Sequence, residues 1–264
     1  MTDKHYQTIL FSCQGKVARI SLNRPEVHNA FNATMIRELA GAFERAQEDE
    51  SVRVVLLTGV GESFCAGADL NWMREIIRYS YEQNLKESME VAELMHQIYT
   101  LPKPTIARIN GATIGGGNGL FSACDIAIAS ERAKFGLSEV KIGLVPAAIS
   151  PYVIRRIGES AAHEYFLTGE RFDARRALEI RLVNKVVRAE ELDEKVDDVI
   201  RLLLSSGPEA MASCKELLHK VPSLTFDEAK AYTAEMIARL RVSQEGQEGM
   251  AAFLEKRKPK WAKK

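Results

Sequence analysis

Two glycine-rich stretches constrain this chain most. Residues 63–69 read Ser-Phe-Cys-Ala-Gly-Ala-Asp, and residues 109–119 read Ile-Asn-Gly-Ala-Thr-Ile-Gly-Gly-Gly-Asn-Gly. Each follows a predicted strand and leads into a predicted helix, an order that belongs to an α/β fold. Small residues let backbone N–H groups come close to a ligand. At a helix N-terminus those donors are unpaired, and the helix dipole favours negative charge there. Two such N–H groups converging on one point would form an oxyanion hole. For a single turn of this kind, close packing of strand on helix explains the glycines more simply. Neither stretch fits the G-x-G-x-x-G dinucleotide pattern with its acidic follower, nor the lysine-bearing P-loop pattern.

The rest of the first half alternates in the same way. Residues 17–22 form a short apolar run that ends in the turn signal Asn23-Arg24-Pro25-Glu26. Asn32 can cap a helix whose apolar positions are Ile36, Leu39, Ala40, Phe43 and Ala46. Residues 53–58 contain Val-Val-Leu-Leu, a buried-strand pattern, and residues 70–100 are mostly helical until Pro102 and Pro104 stop them. Strands are expected at 105–109 and 125–129. The second half is more helical, with segments at 160–168, 174–180 and 192–205 and a short strand at 183–187. Pro208 suits the first turn of a helix ending near His219. Phe226, Ala229, Thr233, Met236, Ile237 and Leu240 then make an amphipathic stripe. No linker or repeat divides the chain. Periodicity implies an α/β core with a helical C-terminal region, and strand order alone leaves a doubly wound sheet equally open.

Composition narrows the function. With 264 residues, 46% of them hydrophobic, the chain can build one large core or two small ones. Its 36 basic residues balance 36 acidic ones, so no global field draws it to nucleic acid or to an anionic membrane. The four cysteines are scattered without metal-ligand spacing, and the five histidines show no paired spacing. No apolar run is long enough to span a bilayer, and the polar start, Met1-Thr-Asp-Lys-His, has no apolar signal core. A cytoplasmic protein with reduced thiols, no metal and no membrane segment is expected.

The motifs together resemble the enoyl-CoA hydratase/isomerase (crotonase) superfamily, nearly from end to end. The likeness runs through Ser21-Leu-Asn-Arg-Pro25 with Asn29-Ala-Phe31, then Phe64-Cys-Ala-Gly-Ala-Asp69 and Lys103-Pro-Thr-Ile-Ala-Arg-Ile-Asn-Gly111 with the triple glycine. It continues through Cys124-Asp-Ile-Ala-Ile-Ala129, Phe135-Gly-Leu-Ser-Glu-Val-Lys-Ile-Gly143, Leu167-Thr-Gly-Glu-Arg171 and the tail 248–258. The resemblance implies a spiral of β-β-α units over residues 1–200 and a C-terminal helical trimerisation region over 201–264. That displaces the doubly wound alternative. It implies a homotrimer or a dimer of trimers acting on an acyl-CoA, with coenzyme A part of the substrate and no separate cofactor.

By the same resemblance, the N–H groups of Ala68 and Gly116 form the oxyanion hole and Glu139 is the catalytic carboxylate. Ala30, Ala66, Asp69 and Leu70 are expected to contact substrate, as are Asn118 and Gly119. Phe253 and Lys256 match a Phe and a Lys that meet the CoA adenine and phosphates. One departure matters: hydratases of this family commonly carry a second glutamate, and its position here is Gly119. Asn118, the nearest polar group, could bind a water but cannot act as a base near neutral pH. Family isomerases that move a 3-enoyl double bond also keep one glutamate, so the count leaves hydratase and isomerase both open. Residues 137–152 and Asp69-Leu-Asn-Trp-Met-Arg74 resemble bacterial 3-methylglutaconyl-CoA hydratases and their relatives acting on isoprenoid-derived glutaconyl-CoAs. Arg74 or Arg78 could pair with the distal carboxylate of such a substrate, or both could be surface arginines. Asp125 is expected to brace a turn. A weak RNA or protein binder working through the basic tail is a third reading, disfavoured by the neutral charge.

Overall fold

The computed structural model describes residues 6–262; the polar start and Lys263-Lys264 lie outside them. Nine strands occur among the described residues: β1 (Ile9–Gln14), β2 (Val17–Leu22), β3 (Val54–Gly59), β4 (Thr105–Ile109), β5 (Thr113–Ile114), β6 (Ile126–Ser130), β7 (Lys134–Gly136), β8 (Arg171–Asp173) and β9 (Lys185–Val187). The helices are α1 (Ala33–Glu48), α2 (Leu70–Ile76), α3 (Tyr81–Thr100), α4 (Gly116–Ser122), α5 (Ser150–Thr168), α6 (Ala174–Glu179), α7 (Leu192–Ser205), α8 (Pro208–Lys220), α9 (Phe226–Val242) and α10 (Gln244–Leu254).

Six strands form the larger sheet in the order β1-β2-β3-β4-β6-β9, and β5-β7-β8 form a smaller one. Only the hairpin β1–β2 is antiparallel in the larger sheet; its other pairings are parallel. Parallel strands need crossovers, and here each crossover visits the smaller sheet before its helix. Thus β4, β5 and α4 make one turn of a spiral, and β6, β7 and α5 the next. Single bridges between Phe31 and Ala68 and between Cys65 and Thr113 extend the smaller sheet back into the earlier turns. This is the β-β-α spiral, not a doubly wound sheet.

Strand β3 is buried along its whole length because both faces of the parallel sheet are covered. Val55 and Leu57 point into the main core, whereas Val54 and Leu56 meet Leu192, Val196, Val199 and Ile200 of α7 on the other face. Helix α7 crosses residue 200, and α8, α9 and α10 follow as the C-terminal helices.

The remaining segments depart from their expected limits for local reasons. The stretch 70–100 is two helices, because Ser80 and Gln83 form a capping box that starts α3 afresh. Helix α5 begins ten residues before the expected 160 and continues past Gly158, whose φ of 71° interrupts its geometry. The edge strand β1 gave little signal because most of its residues are not buried. In the C-terminal stripe only Met236 is buried, and Phe226 is fully exposed, so that face of α9 is uncovered in a single chain. No helix among the described residues is long and apolar enough to cross a membrane.

Candidate active site

The two glycine-rich turns lie against each other. The Ile114 N–H donates to Cys65 O at 3.0 Å, and the Cys65 N–H donates to Ala112 O at 3.2 Å. Gly67 has φ +89°, and a Cβ there would stand 2.9 Å from Ile114 O. A side chain would therefore be both strained and obstructed. Phe31 pins the first turn: its N–H donates to Gly67 O at 2.8 Å, and its carbonyl accepts from the Asp69 N–H at 3.0 Å. The Ala68 N–H lies between those two bonds. Among the described residues, neither the Ala68 N–H nor the Gly116 N–H at the start of α4 has a backbone acceptor.

Glu139 reaches this place from the turn after β7. It opens a single 3₁₀ turn, Glu139–Ile142, that closes at Gly143 with φ 76°. A Cβ on Gly115 would lie 3.3 Å from Glu139 Oε1, so the carboxylate sits beside the residue preceding Gly116. Glu139 Oε2 is buried without a hydrogen-bond partner. Burial pushes the carboxyl above its ordinary range, because the charged form loses water. An ionisable group beside the Gly116 turn, which packs against the Ala68 turn, can move a proton while free N–H donors of the two turns hold developing negative charge. The neighbouring Cys65 is no alternative nucleophile, since burial pushes its thiol up to about 12.

The profile of the enoyl-CoA hydratase/isomerase family matches residues 12–264. The chain belongs to that family. An enoyl-CoA hydratase from Shewanella pealeana, known as a crystal structure, is similar at 45% identity with a TM-score of 0.95, over 98% of this chain and 97% of that one. The short-chain-enoyl-CoA hydratase of Clostridium acetobutylicum is 32% identical over 95% of each chain. The crotonyl-CoA hydratase of Syntrophomonas wolfei is 33% identical over 98% of this chain and 99% of its own.

Within this enoyl-CoA hydratase/isomerase member, the residues expected around the substrate divide into two groups. Ala66 and Ala68 are part-buried in the first turn, and the Ala66 N–H donates to His28 O at 2.9 Å. Ala30 is buried beside it, and its carbonyl accepts from Arg24 Nη1 at 2.7 Å. Leu70 is largely exposed at the start of α2. Two expected contacts are instead occupied by the protein. Asp69 is buried, caps α2 by accepting from the Asn71 and Trp72 N–H groups, and pairs with Arg24 Nη2 at 2.8 Å. Burial alone would raise its carboxyl, but the Arg24 hydrogen bond and the two N–H donors hold it below its usual range. Asn118 is fully buried, and its Nδ2 donates toward the carbonyls of Thr113, Gly115 and Gly136. It braces the second turn instead of offering its amide hydrogens to a water.

Gly119 is closed as well. A Cβ there would lie 2.7 Å from Ile149 Cβ and 3.3 Å from Met95 Sδ. Arg74 is exposed, donating to Asn71 Oδ1 at 2.7 Å, and Arg78 is exposed just after α2. Phe253 is exposed at the end of α10, and Lys256 lies in the turn that follows, with φ 55°. Trp261, just beyond them, accepts through its carbonyl from Lys16 and Arg53, which precede β2 and β3. The turns of Ala68 and Gly116 follow the opposite ends of β3 and β4. Sequence reading missed Arg24, which joins Asp69 to the Ala30 carbonyl. It also missed Asn29, whose amide donates to Val60 O and Ser63 O. Both lie in the quoted motif Ser21-Leu-Asn-Arg-Pro25 with Asn29-Ala-Phe31, which marked the segment without giving either residue a role.

Proposed function

We propose that the chain adds water to a 2-enoyl-CoA, and that its acyl group is branched with a distal carboxylate, as in 3-methylglutaconyl-CoA. The observation that carries the reaction class is the pairing of two N–H groups without backbone acceptors, Ala68 and Gly116, with half-buried Glu139, whose carboxylate lies at Gly115 and whose Oε2 is buried. The thioester oxygen takes hydrogen bonds from both N–H groups, which draws electron density from C3 of the acyl chain. Glu139 accepts a proton from water as the water oxygen bonds to C3. The electron pair of the double bond moves toward the thioester oxygen as an enolate, which the two donors stabilise. Protonated Glu139 then gives its proton to C2. Water is thereby added across the double bond, and the carboxylate is restored. Dehydration is the same path in reverse.

The branched acyl group is supported by the likeness of residues 137–152 and 69–74 to 3-methylglutaconyl-CoA hydratases. Arg74 and Arg78, on and just after the helix that leaves the Ala68 turn, are the cations available to a distal carboxylate. Two of the relatives named above carry names that refer to short-chain or crotonyl substrates, so unbranched chains belong in the test. A single carboxylate, with Gly119 closed by Ile149, also suits double-bond migration from C3 to C2 by Glu139 as a shuttle. We assign the assembly as a homotrimer or dimer of trimers in the cytoplasm, in which Phe253 and Lys256 serve the CoA bound by a neighbouring copy. The deciding experiment incubates purified protein with branched and straight 2-enoyl- and 3-enoyl-CoAs and follows added water and double-bond position by mass spectrometry. Hydration of 3-methylglutaconyl-CoA ahead of crotonyl-CoA is expected. Migration of a 3-enoyl bond with no hydration of either compound would replace this reading with the isomerase.

A further inference from the structure

Phe31 touches both halves of the donor pair. Its backbone brackets Ala68 through the bonds to Gly67 and Asp69. Its ring lies under Gly116, where a Cβ would stand 2.6 Å from Phe31 Cε1. The backbone of this one residue thus holds the Ala68 turn while its ring stands against Gly116. The ring is in turn backed by Trp72 of α2, with centroids 5.8 Å apart and planes tilted by 59°. Trp72 is buried, and its Nε1–H donates to Glu87 Oε1 of α3 at 3.2 Å. Glu87 Oε2 is buried without a hydrogen-bond partner. Trp72 is thus the side-chain donor that holds this carboxylate, and α3 grips α2 through it.

We propose that Phe31 is a positioning residue that fixes the separation of the Ala68 and Gly116 donors, and that Glu87, through Trp72, holds Phe31 in place. This rests on the reading of those N–H groups as the thioester-oxygen site. The arrangement has a mechanical reason. Ala68 and Gly116 belong to different turns of the spiral, and donor pairs lose most of their effect when displaced by a fraction of an ångström to an ångström. The six carbons of an aromatic ring form one rigid plane that reaches farther than the branched end of a leucine, so it is a better spacer. Its position still depends on what stands behind it, and a hydrogen-bonded indole fixes that more firmly than packing alone.

The test uses the full chain and three variants, Phe31→Leu, Glu87→Leu and Glu87→Gln, each first checked for cooperative unfolding. Two readouts are needed. One is kcat and KM on a hydrated enoyl-CoA. The other is the 13C resonance of butanoyl-CoA labelled at the thioester carbonyl, a saturated probe that cannot react and whose carbonyl shifts downfield when polarised. Phe31→Leu and Glu87→Leu are expected to lower kcat roughly tenfold, with KM changed less than about twofold, since a misplacement near 1 Å costs about 100-fold. In both, the bound carbonyl resonance should move back toward its position in free solution. Glu87→Gln keeps an oxygen acceptor for the Trp72 N–H and should retain the parental kcat and resonance. Parental kcat and resonance in folded Phe31→Leu and Glu87→Leu would overturn the proposal, as would a rise in KM with the resonance unmoved. A parent protein that shifts the carbonyl but hydrates nothing would overturn the hydratase reading and leave the spacing proposal standing on its resonance. A parent that produces no shift would overturn both.

Discussion

Glu139 carries two opposed demands in one side chain. A buried carboxylate is a stronger base because water no longer stabilises its charge, but the fold then holds that charge at a cost. The raised pKa fixes the sign. The folded state binds the proton more tightly than the unfolded chain, so this group's contribution to stability is full below the ordinary glutamate range. It is lost as pH rises through the raised value. Glu139→Gln should therefore raise the melting temperature at pH 7 relative to the parent, and leave it little changed near pH 4. The same variant should lose turnover by about 100-fold or more, since the amide cannot accept water's proton. Calorimetry at the two pH values, with kinetics at pH 7, checks both halves. Gly119 shows the converse case. The sequence marks it as the place of a second carboxylate, but the space is filled by Ile149, thirty residues along the chain. Gly119→Glu is accordingly expected to destabilise the fold by about 1–3 kcal/mol or more, through overpacking and a buried charge. The double variant with Ile149→Ala should recover part of that loss in a denaturant titration. Glu139 and Gly116 could be named as candidates because a local motif carries them. The roles of Arg24 and Ile149 could not be named, because Asp69 and Gly119, which they meet, come from distant segments and nothing local distinguishes them from a turn residue and a core residue.

At the level of elements, period and capping were readable where a segment decides its own fate. Asn32 does cap α1, accepting from the Met35 N–H. Residues 192–205 form α7 over the expected span because the apolar face has a sheet to cover. The strands of the smaller sheet were not readable: β5, β7 and β8 have two or three residues each, too few for a period of two to appear. The spiral itself followed from resemblance, not from periodicity. Asp125, expected to brace a turn, does more: its Oδ2 accepts from the Thr105 N–H and hydroxyl, and from Lys215 Nζ of α8 at 2.8 Å. Lys215 is buried and also donates to Lys103 O. It therefore ties the first C-terminal helix to the start of β4. Lys215→Met should destabilise the chain by roughly 3 kcal/mol, the low end for removing one partner of a buried pair, because Thr105 still satisfies Asp125. Chemical denaturation measures it. An effect below about 1 kcal/mol would mean that α8 is held by its apolar contacts alone.

At the scale of the whole molecule, the C-terminal helices leave apolar surface uncovered. Phe226, Leu218, Leu254 and Phe253 are each more than two-thirds exposed. Large apolar side chains gathered on one region suit an interface between copies. In the same region Trp261, beyond Phe253 and Lys256, is bonded at the end of the sheet where β2 and β3 begin, whereas the Ala68 and Gly116 turns follow the other ends of β3 and β4. On the proposed trimer, each site then takes Glu139 from one chain and the CoA-binding tail from the next. This can be tested by mixing two disabled proteins. Glu139→Gln lacks the base but has a sound tail. Phe253→Ala combined with Lys256→Ala has the base but a disabled tail. When subunits are exchanged in equal amounts, a site is whole only if its own chain carries Glu139 and its neighbour carries the intact tail. Each condition holds half the time, so about a quarter of sites should recover in a closed ring. At subsaturating substrate the mixture should show about that fraction of parental activity, well above the two proteins assayed apart. If the tail instead folds onto its own chain's site, mixing adds nothing, and activity stays at the average of the two. A trimer by light scattering with no complementation would keep the assembly and remove Phe253 and Lys256 from the neighbouring site.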